Sequence, residues 1–113
     1  FARAGANDPN FNLRHDPVFI QRRSGQEHTV FASAIESHGV YDPVSEIPLS
    51  PFSGLQSVEV LHDSEKYTVV RVSHQNEKSW TIALANQDAS KNTKHQLSVG
   101  KENLNWTGPY LVK

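Results

Sequence analysis

From residue 55 onward the chain alternates apolar and polar positions in short runs. Val58 and Val60 mark one face of a strand over residues 55–62. Over residues 67–74, Thr68, Val70 and Val72 take one side, and Tyr67, Val69 and Arg71 the other. Trp80, Ile82 and Leu84 then alternate with Thr81, Ala83 and Ala85. A period of two is that of a pleated strand, whose successive side chains leave on opposite faces. Polar turns separate these runs at residues 63–66 and 75–78, and a longer polar loop spans 87–94. Residues 95–99 and 104–106 form a further pair, and 110–112 an edge. Trp80, in phase with Ile82 and Leu84, is expected in the core.

The front half is less regular. Residues 29–36 are expected to form a central strand, with Phe31, Ser33 and Ile35 on one side and Val30, Ala32 and Ala34 on the other. Small or apolar side chains on both sides suit a strand covered on two faces. Residues 18–23 are expected to pair with it through a turn at 24–27. Residues 1–17 hold turn formers such as Asn7, Asp8 and Pro9 and are expected to be an extended lead-in, with Phe11 and Leu13 docking at period two. Residues 39–54 form a long excursion punctuated by Pro43, Pro48 and Pro51. No stretch holds helical periodicity over three turns. The expectation is an all-β fold, an antiparallel β-sandwich of about seven strands, with residues 18–113 as a single domain.

Composition narrows the function. The chain has 113 residues, 36% of them hydrophobic, which suits a thin, sheet-like core. Eleven basic and twelve acidic side chains give a formal net charge of -1, without the cationic surplus that phosphate binding needs. Nucleic acid is therefore not the expected partner. There is no cysteine, so disulfides, thiolate nucleophiles and Cys-based zinc sites are excluded. No apolar run approaches the roughly 20 residues of a membrane span, so no membrane partner is expected. The chain opens on Phe1 and is expected to be a piece excised from something longer.

Polar groups gather where the central strand ends. Glu36 and His38 lie two apart and would share a strand face, where they could bind a sugar hydroxyl or act as acid and base. The competing account is a surface ion pair of little value. Tyr41 could serve as a phenolic acid or anchor by its ring, and Glu46 lies in the same excursion. These four, Glu36, His38, Tyr41 and Glu46, are the candidate substrate-binding residues. Six histidines are present, but none has the spacing of converging metal ligands. His62 and His74 could face each other across the Tyr67 hairpin, and they read more as solvated strand ends than as a metal pair. No metal site and no cofactor are expected. Trp106 is either an exposed sugar platform or packed against the terminal strand, with packing favoured. Arg14, Arg22 and Arg23 could bind a carboxylate in bidentate fashion, although such arginines more often serve solubility. No nucleophile elbow, phosphate-binding glycine loop or paired-carboxylate signature is present, and no catalytic residue is assigned.

The segments 5–14 (GANDPNFNLR), 20–23 (IQRR), 31–39 (FASAIESHG) and 41–46 (YDPVSE) together resemble the C-terminal region of the heparinase II/III-like polysaccharide lyases, in particular the family 17 alginate (oligoalginate) lyases. The likeness is strongest over residues 5–46. It implies a parent enzyme with an N-terminal α/α toroid followed by β-sandwich layers, cleaving uronic-acid polymers by β-elimination. In such enzymes the catalytic Tyr, His and Asn and a structural zinc site lie in earlier parts of the chain, and no motif here matches them.

The resemblance thus implies a C-terminal accessory and structural domain. Its partners would be the toroid of the same parent chain and an acidic, alginate-like polysaccharide. The parent would be periplasmic or secreted. Two other classes compete: a carbohydrate-binding module using Trp106, Tyr110, Arg22 and Arg23, and an adhesion-type sandwich pairing through its edges.

Overall fold

The computed structural model describes residues 2–5 and 15–113. Contacts divide the chain into two units, Phe1–Phe31 and Ala32–Lys113. In the first unit, strand β1 (Ala2–Gly5) pairs antiparallel with β2 (His15–Val18), with Ala2 opposite Val18 and Gly5 opposite His15. The intervening stretch, with Phe11, Leu13 and Arg14, lies outside the described residues. Strand structure ends at Val18, which pairs with Ala2, so the expected strand at 18–23 does not form.

The expected central strand at 29–36 is also absent. Residues 29–39 join no ladder, and Phe31 and Ile35 are exposed, Ile35 to 98%. Alternation of apolar residues makes a strand only where backbone N–H and C=O groups find a neighbouring ladder. Here the segment is held by a side chain instead, as described below for Glu36.

The second unit is all β. Strands β3 (Val40–Asp42) and β4 (Ile47–Leu49) form a short hairpin. The main sheet comprises β5 (Leu55–Asp63), β6 (Tyr67–His74), β7 (Ser79–Ala85) and β10 (Tyr110–Val112) in the order β10-β7-β6-β5. A second ladder joins β8 (Lys94–Val99) to β9 (Glu102–Thr107). All pairings are antiparallel. The sequence-predicted strands from residue 55 onward therefore form where alternation placed them. The described residues hold ten strands against the seven or so expected, counting the short β1–β2 pair of the first unit and the β3–β4 pair of the second.

The core lies between the main sheet and the β8–β9 ladder. Val69 of β6 stands opposite Ala83 of β7, and both are fully buried. Leu104 and Trp106, alternate residues of β9, close onto them, with Leu61, Tyr67, Leu97, Val99 and Leu111 around the edge. A register shift between Val60 and His62 leaves Leu61 as the extra residue of β5. Such a bulge re-aims one side chain, here one that joins the core. Trp106 is 7% exposed and belongs to this core, so its ring is no surface platform.

The reverse face of the main sheet is apolar too. Val72 pairs with Trp80, Val70 with Ile82, and Val112 with Ile82 from the other side. Val58 and Val60 of β5 extend the rows. Trp80 lies on this reverse face at 39% exposure, not in the core as its phase suggested. β7 alternates as expected, but the face that carries Thr81 and Ala83 is the packed one.

Candidate functional site

Glu36 is the most heavily engaged of the four candidate residues. Its carboxylate accepts hydrogen bonds from the Ser53 hydroxyl at 2.5 Å, from the Gly54 backbone N–H at 3.0 Å and from that of Leu55 at 3.4 Å. The imidazole Nε2 of His74 stands 3.4 Å away. The Ser53 hydroxyl chiefly, with the two backbone N–H groups and the nearby imidazole, holds the Glu36 carboxyl below the usual range, against a smaller opposing effect of desolvation. Glu36 thus fastens the irregular strand-free segment to the corner where β5 begins. It does not pair with His38.

That corner depends on Gly54. A Cβ there would overlap the His74 ring, so glycine lets that ring lie directly against the backbone of the corner, and a larger residue would push the ring aside. The Gln75 N–H donates to the Gly54 carbonyl at 2.9 Å, and the Gln75 side-chain amide donates to the Ser53 carbonyl. Sequence reasoning missed Ser53, Gly54 and His74 as partners of Glu36. A glycine just before a strand was the one available signal.

The other candidates are placed differently. His38 is exposed in irregular chain. Tyr41 sits on β3 opposite Pro48 and is 64% exposed. Glu46 ends the β3–β4 turn with a φ of 58°. Asp42 organises that turn: its side chain accepts from the Val44 N–H at 3.0 Å and from the Ser45 hydroxyl, and its carbonyl accepts from the Glu46 N–H. The Ser45 and Val44 donors hold the Asp42 carboxyl below its ordinary value. Tyr41 and Glu46 therefore share one small, exposed hairpin built to present side chains.

Beside Glu36 and His74 runs a groove of about 520 Å³, lined by Ile35 on one side and by Leu55, Val72, Trp80, Ile82 and Val112 on the other. His74 and Trp80 meet edge to face at 6.3 Å between centroids. The lining is mostly apolar, with Glu36 and His74 at one end.

A second cluster lies at the far end of the core. The Tyr67 hydroxyl is 3.3 Å from His95 Nδ1, and His95 stacks on Trp106 with centroids 5.0 Å apart. Asp88 stands 4.0 Å from His95 Nε2. The Ser90 backbone N–H, followed by the Thr93 side chain and the nearby imidazole, holds the Asp88 carboxyl below its usual range. His95 is buried, and its ring lies beside Asp88 of the 86–93 loop.

His62 and His74 do not face each other. His62 stands opposite Val69 beside the turn, bonded to the Ser64 hydroxyl, whereas His74 lies at the other end of β6 opposite Leu55. The hairpin turns at residues 63–66, so the two histidines lie at its opposite ends. Among the described residues no group of three His, Asp or Glu side chains converges as metal ligands would. No described helix is long and apolar enough to cross a membrane.

Over 107 residues the chain is 34% identical to an exo-oligoalginate lyase of Saccharophagus degradans, and over 109 residues it is 31% identical to an alginate lyase of Stenotrophomonas maltophilia. Each match covers 95% of this chain. The chain is a relative of the alginate lyases. It spans 14% of the length of each of these two relatives. No family model matches the chain. The likeness to alginate lyases extends over almost all of this chain, so it takes in both the main sheet and the segment that bears Glu36.

Proposed function

We propose that this chain is the C-terminal accessory and structural β region of an alginate-lyase-like enzyme of the heparinase II/III-like type. The observation that carries this reading is the match to two alginate lyases over 95% of the chain and only 14% of each relative. The parent enzyme degrades a uronic-acid polymer by β-elimination outside the cytoplasm, in the periplasm or beyond it. Proton abstraction belongs to its N-terminal α/α toroid, and the β region provides a stiff wall beside the cleft.

Within that wall, His38, Tyr41 and Glu46 meet the end of the acidic polysaccharide, with Glu36 as the positioning residue. The exposure of His38 and Tyr41 and the tight Asp42-capped turn under Glu46 support this. Glu36 has its oxygens occupied by Ser53, Gly54 and Leu55, which suits fixing the segment more than handling a proton.

The test compares the intact lyase with the 113-residue chain on oligoalginate, following the ultraviolet absorbance of unsaturated uronate product. The intact enzyme is expected to form product and the 113-residue chain none. Product from the 113-residue chain would overturn the division of labour. Unchanged kcat/KM in both His38→Ala and Glu46→Ala variants of the intact lyase would remove the substrate-end role.

A further inference from the structure

The outer face of the β8–β9 ladder carries one sign of charge. Its cross-strand pairs are Lys94 with Thr107, Gln96 with Asn105 and Ser98 with Asn103, and all six residues are exposed. Alternation turns His95, Leu104 and Trp106 inward, so polar side chains outside are ordinary. The lack of a carboxylate among them is not. Glu102 is the one acid of the two strands, and Arg71 and Lys113 draw it towards the main sheet. Asp88 is the one acid of the adjoining 86–93 loop; it accepts from the Ser90 N–H at 2.7 Å and stands beside the buried His95. Both acids are thus engaged, while Lys91 and Lys94 are exposed and form no ion pair among the described residues.

Two shallow grooves meet on this side of the molecule. One, of about 420 Å³, is lined by Lys94, Gln96, Asn105 and Thr107 over the buried His95 and Trp106. At Thr107 it adjoins another of about 340 Å³, lined by Lys91, Gly108, Pro109 and Tyr110. The Tyr110 ring is 63% exposed. The Gly108 N–H donates to the Thr93 carbonyl at 2.9 Å, which ties the β9–β10 turn to the loop bearing Lys91. Neither groove is lined by an acid.

We propose that this strip binds an acidic polysaccharide, as a second contact built from none of His38, Tyr41 and Glu46. Lys91 and Lys94 meet carboxylates of the polymer as point charges. Gln96 and Asn105 have no side-chain hydrogen bond among the described residues, and each amide offers both donors and an acceptor to sugar hydroxyls. The Ser98 hydroxyl donates to the Asn103 side-chain carbonyl at 2.6 Å, which leaves the Asn103 NH2 group to a ligand. Tyr110 supplies a flat apolar face for the C–H side of a sugar ring. Concave surface with a few placed polar groups and one exposed aromatic fits a sugar better than a protein face. The identity of the polymer as a polyuronate rests on the proposed function. Nucleic acid fits less well, because the chain as a whole has a net charge of -1 and no broad cationic surplus.

Affinity electrophoresis of the 113-residue chain tests this, in gels cast with alginate, neutral dextran, dextran sulfate or single-stranded DNA. Alginate is expected to retard the chain, less so as salt is raised, and the other three polymers to retard it little. The double variant Lys91→Ser/Lys94→Ser is expected to lose most of the retardation, Tyr110→Ser part of it, and Lys94→Arg almost none. Melting curves check that each variant is folded, and these exposed substitutions should leave Tm nearly unchanged. No retardation by alginate overturns the proposal, as does retardation that survives the double lysine substitution. Equal retardation by dextran removes the role of charge, and equal retardation by dextran sulfate or DNA makes the strip a general polyanion surface; either result also overturns it. The proposed function is read separately: an intact enzyme that forms unsaturated product from alginate upholds it even where the gels show no binding by this strip.

Discussion

The carboxylate of Glu36 reaches the imidazole of His74 at 3.4 Å, joining an irregular segment to the end of a strand nearly forty residues later in the chain. Between them sits Gly54, the position at which any side chain would collide with the ring. This contact closes one end of the apolar groove and explains why residues 32–37 stay near the sheet without entering it.

Because the Glu36 carboxyl is held below its usual value in the folded chain, its ionised form stabilises the fold. The contribution is fully present above the unfolded value near 4.5 and is lost as pH falls through the depressed folded value. Glu36→Gln should therefore lower Tm at neutral pH, with a difference that shrinks steadily in acid. Melting curves from neutral pH into acid check this. A Tm difference independent of pH would mean that geometry, not charge, holds the clamp.

Arg71 of β6 and Glu102 of β9 bind across the sandwich at 2.5 Å, and Lys113 adds a second contact to Glu102 at 3.3 Å. The Arg71 hydrogen bond, with help from Lys113, holds the Glu102 carboxyl below its usual value. Both partners are partly open to water, so salt should screen the pair. A double-mutant cycle with Arg71→Gln and Glu102→Gln is expected to give a favourable coupling at low ionic strength and a much smaller one in concentrated salt. A coupling that did not respond to salt would contradict a solvent-screened latch.

The two faces of the main sheet should respond unequally to truncation. Leu104, 2% exposed, contacts the core on all sides, so Leu104→Ala should cost about 2–5 kcal/mol in the 113-residue chain. Leu84 on the reverse face is 42% exposed, and Leu84→Ala should cost well under half of that. Urea unfolding of the two variants measures the contrast. Equal losses would mean that the reverse face is packed in the isolated chain.

The strands from residue 55 to the end were legible because each carries period-two alternation bounded by polar turns. Tyr67–His74 was read to the residue. Residues 19–36 form no strand for a physical reason. Phe31 and Ile35 have the spacing of a strand, but a strand needs a partner ladder, and single-sequence patterning does not report whether one is in reach. The phase that Trp80 shares with Ile82 and Leu84 points to the core. Phase tells which residues share a face, not which of two apolar faces is covered. For the site, Glu36 is visible as an acid at the end of the expected central strand, but its partners Ser53, Gly54 and His74 lie 17 or more residues away and carry no spacing signal.

Glu46 offers a way to separate turn geometry from substrate contact. Its φ of 58° lies in the left-handed region, which costs a residue with a Cβ on the order of 1 kcal/mol relative to glycine. Glu46→Gly should therefore stabilise the β3–β4 hairpin, while Glu46→Ala keeps the strain and changes stability little. Both substitutions remove the same carboxylate. If that carboxylate holds the polysaccharide end, both variants of the intact lyase should lose kcat/KM on oligoalginate to a similar degree although only the glycine variant is stabilised. If only the glycine variant lost activity, the turn's rigidity, with Tyr41 presented upon it, would be what the substrate senses. If neither lost activity, the hairpin would have no part in the cleft.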